Sequence, residues 1–291
     1  MSVAIRRQPV GSPVSIISTG LRWAFLAAGI GGAFLPFWWM LRTAVGPPQS
    51  VLGLSSNLIP SGIDFAAFPR AFDAADLGRA LVTGAGVSIA ITLLQLATAI
   101  PAAYAFGCLR FRGRGVLFAV VLATLLVPPQ VTAIPNYVTI SALGLADTRA
   151  GLVLPFMTNA AGIFLLRQYM STIPVALLEA ARMDGLGTWR TLRAIVLPLS
   201  TPAVATVATF SFLLSFNEYL WPLLVARSPD IATPPLALAN LVSASGGFPD
   251  FAQLSAAALI VSIPTLVVFI LAQRRLAAGI TGTGTGVGAE G

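Results

Sequence analysis

The chain has 291 residues, of which 56% are hydrophobic and only 9% charged, against about a quarter charged in a soluble domain. A mean hydropathy of +0.87 excludes a water-soluble monomer, and so much apolar content excludes intrinsic disorder. All 17 basic residues are Arg, with no His or Lys, and Cys108 is the one cysteine. That removes histidine acid/base pairs, a Schiff-base or phosphate-loop lysine, an internal disulfide and a thiolate metal cage.

A membrane-crossing helix needs about 20 mostly apolar residues. Six segments qualify, at roughly 23–41, 80–106, 116–137, 151–166, 203–225 and 254–272. The first is too long and too bulky at its end (Phe37, Trp38, Trp39) for a cleaved signal peptide, and its tryptophans suit an interfacial belt. Pro36, Pro101, Pro128, Pro129, Pro135, Pro155, Pro222 and Pro264 fall in or beside spans, where each removes a backbone donor. With Gln95, Gln130, Asn136, Thr158, Asn159, Asn217 and Glu218 also within spans, they suggest helices around a polar cavity rather than a passive anchor. The expected fold is an all-α polytopic membrane protein.

Charge orients it. With the N-terminus inside, the inner segments carry twelve Arg (6, 7, 22, 110, 112, 114, 167, 182, 190, 193, 274 and 275) and the outer segments five (42, 70, 79, 149 and 227). This bias puts both termini in the cytoplasm and explains the net charge of +7 without nucleic acid. Residues 1–22 form a cytoplasmic N-terminal segment and residues 276–291 a Gly/Thr-rich tail expected to be flexible. In the outer loop at 42–79, the stretch from Phe65 to Asp73 suits a short amphipathic piece on the membrane surface. The arginines of the tight inner turn at 107–115 suit anionic headgroups.

The connection at 171–200 is the most informative segment. Pro174 suits a first helical turn, Glu179-Ala180-Ala181 continues a helix-favouring run, and Gly185 is a natural stop. Thr188 can cap a second helix, which Pro198 ends before Thr201-Pro202 opens the fifth span. Such a compact helix pair is suited to docking.

Glu179-Ala180-Ala181, three residues, Gly185 and then Ile195-Val196-Leu197-Pro198 resemble the EAA loop of permease subunits in bacterial ABC importers. The nearest likeness is to the carbohydrate-importer permeases typified by the smaller permease of the maltose importer. Tyr104 and Phe106 before the 110–114 arginines, Pro135-Asn136-Tyr137, Leu143-Gly144-Leu145, Asn217-Glu218 and Gln273-Arg274-Arg275 agree with it. Leu186, Leu192 and Phe216 depart from the usual Ala, Phe and Trp. The resemblance implies a six-helix permease domain at 23–275. It pairs with a second permease in the bacterial inner membrane, against membrane lipid. A cytoplasmic ATPase dimer binds the ATP and Mg, and an extracytoplasmic binding protein delivers substrate. Glu179, Ala180, Ala181, Asp184 and Gly185 then couple the permease to the ATPase. This chain would be no enzyme, with no cofactor, catalytic site or metal site of its own. The implied cargo is a sugar or oligosaccharide, with glycerol-3-phosphate or its diesters as the alternative.

A secondary transporter would couple to an ion through intramembrane charge and often carries inverted repeats. Here Glu218 is the one acid well inside a span, and no repeat is evident. A membrane-embedded enzyme would need catalytic groups that the composition does not supply. Asn217 and Glu218 are candidate pathway residues. A carboxylate in a span is costly unless it faces water or a polar partner, and the competing role is a hydrogen bond tying two spans together.

Overall fold

Three of the expected apolar runs form continuous helices and three are interrupted, one of them at a double proline. A computed structural model describes residues 13–46, 62–246 and 250–281, with side chains for 21–46, 62–246 and 250–273. No strand occurs among the described residues. Three helices are long and apolar enough to cross a membrane: α1 (Pro13–Val45), α3 (Leu77–Cys108) and α13 (Phe251–Thr281). The short α2 (Ala67–Ala74) precedes α3.

The third expected span is two helices, α4 (Arg114–Thr124) and α5 (Pro129–Ala142), at 92° to each other. A residue before proline is driven out of the helical region, and Pro128, before Pro129, is extended with ψ 134. The fourth is α6 (Arg149–Phe156), whose last turn tightens at Leu154–Phe156 around Pro155, followed at 46° by α7 (Ala160–Met170). Next come α8 (Val175–Met183) and α9 (Thr188–Leu199). Within α9 a π turn at Leu192–Val196 runs up to Pro198, a residue that cannot donate a helical bond. The fifth expected span divides into α10 (Thr201–Phe216) and α11 (Leu220–Val225), interrupted at 217–219. An unforeseen helix, α12 (Pro234–Ala244), lies before α13.

α3 runs through all three clusters of the core. Ala99, Ala103 and Tyr104 pack with Leu166 and Met170 of α7 and with buried residues of α8, α9 and α10. Leu77 and Ala80 join α1, α2, α12 and α13 in a cluster rich in alanine, including Ala252, Ala256 and Ala257. Val87 and Ile91 pack with Ile140, Leu152, Trp221 and Val225. Small side chains bring helices close where lipid supplies no hydrophobic drive between them. α1 by contrast exposes Trp23, Phe25 and Phe34 at 68%, 81% and 66%, a surface fit for lipid or another apolar chain.

Several boundaries expected from the sequence are corrected. Helix α1 starts at Pro13, so residues 13–22 join the first helix, and residues 1–12 lie outside the described residues. Helix α13 carries past Arg275 to Thr281 through the helix-favouring Leu276-Ala277-Ala278, and the expected flexible tail beyond it lies outside the described residues. The Phe65–Asp73 stretch packs inward through Ala67 and Ala71 instead of only lying on a surface. Thr188 does not cap: Gly187 is the N-cap and no side chain bonds there.

Candidate functional site

The 171–200 connection forms the expected helix pair. Pro174 caps α8 in an extended conformation, and Gly185 takes φ +74. Leu186 N donates to Ala181 O at 2.9 Å and Gly185 N to Arg182 O at 3.0 Å, the bond pair of a Schellman cap. Leu178 and Ala181 are the buried residues of α8, and Leu178 packs into the core shared with α3, α7 and α10. Glu179, Ala180, Asp184 and Gly185 are exposed. The predicted coupling set is therefore split: four members are exposed, and Ala181 is buried. Glu179 makes no ion pair among the described residues, Arg182 included. Sequence reading missed Met183, 88% exposed, and Trp189, 54% exposed with the Arg193 guanidinium 5.0 Å from its ring centroid. Large apolar side chains presented beside a glycine turn were the available signal.

α7 links this loop to a second site. Its C-terminal Met170 carbonyl accepts from Cys108 Sγ at 3.5 Å, at the end of α3. Its N-cap, Asn159, accepts from Ala161 N and Gly162 N at 2.9 and 3.3 Å. Eleven residues of helix give a rod roughly 16 Å long between the two. At the Asn159 end Gln95 of α3 crosses the break. Its Nε2 donates to Phe156 O at 3.0 Å, and its Oε1 accepts from Asn159 Nδ2 at 3.4 Å. Thr98 Oγ1 donates to Met157 O at 3.1 Å. Irregular backbone at membrane depth requires such partners.

The break at 217–219 is likewise capped from within. Asn217 Nδ2 donates to Leu213 O at 2.7 Å, and Glu218 Oε1 accepts from Trp221 N at 3.2 Å. Neither side chain bonds to another span among the described residues. Trp221 is buried; its Nε1 donates to Gly151 O at 3.1 Å and its ring meets Phe156 edge-on. These breaks open on one cavity of about 360 Å³ lined by Gln95, Thr158, Asn159, Ser211, Glu218 and Trp221, among others. A smaller space of about 80 Å³, touching Gln130, Asn136 and Pro129, shares Glu218 with it. Of the polar residues singled out in the spans, Asn217 alone lines neither.

Between α5 and α6, Asp147 clamps the chain that follows α11. Its Oδ1 accepts from Ser228 N at 2.8 Å, Arg227 N at 2.7 Å and Ser228 Oγ at 3.1 Å. The Ser228 and then the Arg227 backbone donors hold its carboxyl below the usual aspartate value. Arg227 also donates to Tyr137 Oη. Among the described residues no cluster of His, Cys, Asp and Glu could hold a metal ion.

Apolar, interrupted helices around a cavity whose mainly apolar wall carries Gln95, Thr158, Asn159 and Glu218 are an architecture suited to a membrane permease. Residues 99–282 match the family of binding-protein-dependent transport system inner membrane components, and the chain belongs to that family. It is 36% identical to the sn-glycerol-3-phosphate transport system permease protein UgpE of Yersinia pestis over 203 residues, 70% of this chain and 72% of that one. It is 30% identical to the trehalose transport system permease protein SugB of Mycobacterium tuberculosis over 262 residues, 89% of this chain and 95% of that one. Its fold matches a chain of a bacterial ABC transporter that imports the acidic polysaccharide alginate. The TM-score is 0.82 at 23% identity, covering 92% of this chain and all of that one. A second alginate transporter structure, in complex with a pentasaccharide-bound periplasmic protein, matches at TM-score 0.65 and 16% identity. The protein is thus an inner-membrane transport subunit of the ABC importer type.

Proposed function

We propose that the chain crosses the membrane six times with both termini in the cytoplasm, and forms with a second permease the pathway for a sugar or oligosaccharide. Three continuous helices and the interrupted spans supply the crossings, and the twelve-to-five division of Arg supports the orientation. α9 lies in the 171–200 connection, so its 80° angle to α10 is the turn where the chain re-enters the membrane. The observation that carries the reading is α7. One end sits at the broken-helix cavity and the other, held at Met170 by the end of α3, runs directly into the 171–200 connection.

In this scheme Glu179, Ala180, Asp184 and Gly185, with Met183 and Trp189, dock on cytoplasmic ATPase subunits that bind ATP and Mg. Leu178, packed with α7 and α10, carries that movement inward, and Ala181 lies buried on the same helix. A binding protein delivers cargo from outside, and Glu218 lines the path. Asn217 supports the turn that places it. The trehalose permease of M. tuberculosis, matched over most of both chains, supports a saccharide cargo. The Y. pestis relative keeps glycerol-3-phosphate as the second reading.

The test is the purified importer in proteoliposomes with its binding protein. Trehalose uptake should require ATP, and Gly185→Val should abolish uptake and uptake-stimulated ATP hydrolysis while the subunit still inserts. Uptake driven by an ion gradient without ATP would overturn the reading.

A further inference from the structure

A further pocket lies where the end of α3 meets the helix pair at 171–200. It measures about 60 Å³, its wall is more polar than apolar, and Tyr104, Cys108, Arg182 and Thr188 are among its lining residues. A sugar or a nucleotide needs a pocket of about 300 Å³ or more, so this one admits only a few waters or one small ion.

The unspent groups around it are donors. Tyr104 is 5% exposed, and its hydroxyl has no hydrogen-bond partner among the described residues. A buried hydroxyl left so is costly. The Arg182 side chain makes neither an ion pair nor a hydrogen bond among the described residues, and the Thr188 hydroxyl makes no bond either. The other polar side chains of the wall are taken: Cys108 Sγ donates to Met170 O at 3.5 Å, and Thr191 Oγ1 to Gly187 O at 3.2 Å. A second guanidinium stands at the rim, where Arg114 Nη1 donates to the carbonyl of Leu109, a lining residue, at 3.0 Å. No carboxylate lines the pocket among the described residues; Glu179 and Asp184 are exposed outside it.

We propose that this pocket binds a small oxyanion, the chemistry of inorganic phosphate or of the phosphate in a lipid headgroup, with Arg182 as its cation and the Tyr104 and Thr188 hydroxyls as donors. Phosphate oxygens accept from all three, and a guanidinium meets them with paired N–H groups. The ligand bridges α3, α8 and α9, and so holds the helix pair against the bundle. The site stands on these residues alone and does not depend on what docks on the pair.

Cys108, in the pocket wall, reports on occupancy. The purified importer is kept in a phosphate-free maltoside detergent without nucleotide, and alkylation of Cys108 by uncharged N-ethylmaleimide is timed by mass spectrometry of this subunit. Inorganic phosphate at about 10 mM should slow alkylation at least about threefold against chloride of equal ionic strength, the factor 1 + [L]/Kd for a Kd of about 5 mM. Slowing in vesicles of phosphatidylcholine and phosphatidylglycerol, but not by free phosphate in detergent, assigns the anion to a lipid headgroup. From either source, Arg182→Gln should abolish the slowing, and Tyr104→Phe should reduce it to about half or less. Equal rates in phosphate, chloride and both lipid settings mean that water alone fills the pocket, and overturn the proposal. So does slowing that survives both substitutions. If Arg182→Gln does not assemble, Tyr104→Phe decides, since it removes one oxygen only. If Cys108 resists alkylation throughout, melting temperature decides: phosphate should raise that of the native importer more than that of Tyr104→Phe, and equal shifts overturn the proposal.

Discussion

Gln95 and Asn159 share a hydrogen bond across the break in the fourth span, with Gln95 also holding the Phe156 carbonyl. One amide from the continuous helix α3 thus fixes the geometry of an interrupted neighbour. Gln95→Leu fills similar volume but orphans that carbonyl, at a cost of about 1–3 kcal/mol. The purified importer should melt at lower temperature, and Gln95→Glu should recover less than half the loss because it retains no donor when ionised. Unchanged melting of Gln95→Leu would remove the role assigned here.

Two glycines are required by space and a third is not. A Cβ at Gly151 would overlap the Leu145 carbonyl oxygen, and one at Gly84 would overlap the Pro234 ring, whereas nothing lies within 4 Å of a Cβ at Gly86. Gly151→Ala and Gly84→Ala should sharply reduce the amount of folded subunit in the membrane. Gly86→Ala should leave it unchanged or slightly raised, since Ala favours helix by up to about 1 kcal/mol. Quantitative immunoblotting of membranes checks all three.

Glu179 is exposed on the outer face of α8 with no ion pair in its own chain among the described residues. Glu179→Ala should therefore leave the subunit's own stability within about 0.5 kcal/mol. It should weaken retention of the ATPase, or the stimulation of ATP hydrolysis by cargo. A purification in which ATPase yield and stimulation both match the native importer would exclude the contact.

The Asp147 clamp gives a pH dependence with a definite sign. Its carboxyl is held low in the folded protein by the Ser228 and Arg227 donors. The folded state therefore favours the ionised form, and the stabilisation is present above the unfolded aspartate value of about 3.9. It is lost as pH falls through the lower folded value. Asp147→Asn should flatten that part of the acid melting profile. Matching profiles for the two proteins between pH 5 and 3 (about the window where an unfolded aspartate titrates) would exclude the clamp as a source.

The helix pair at 171–200 was legible because its signals are local: Pro174 at a start, Gly185 at φ +74. The composition of the cavity was legible too, since Gln95, Thr158, Asn159 and Glu218 are polar residues in apolar runs. Their meeting was not, because it depends on where spans bend. The Pro128-Pro129 pair announced one bend, but Pro36 and Pro101 sit inside continuous helices and gave no warning of their difference. Ala181 looked like its neighbour Ala180, and only the packed orientation of α8 buries one and exposes the other.

The caps at the breaks in the fourth and fifth spans also bear on how long cargo stays. The backbone groups released by the breaks at Phe156, Met157 and Trp221 are already held by Gln95, Thr98 and Glu218. A departing ligand leaves no carbonyl or amide stranded in an apolar surround, so little opposes its exit. Residence in this part of the path should be brief and affinity modest, with tight capture left to the protein that collects cargo outside. A complex stable through gel filtration, with cargo retained by this subunit after the collecting protein is removed, would contradict that division of labour.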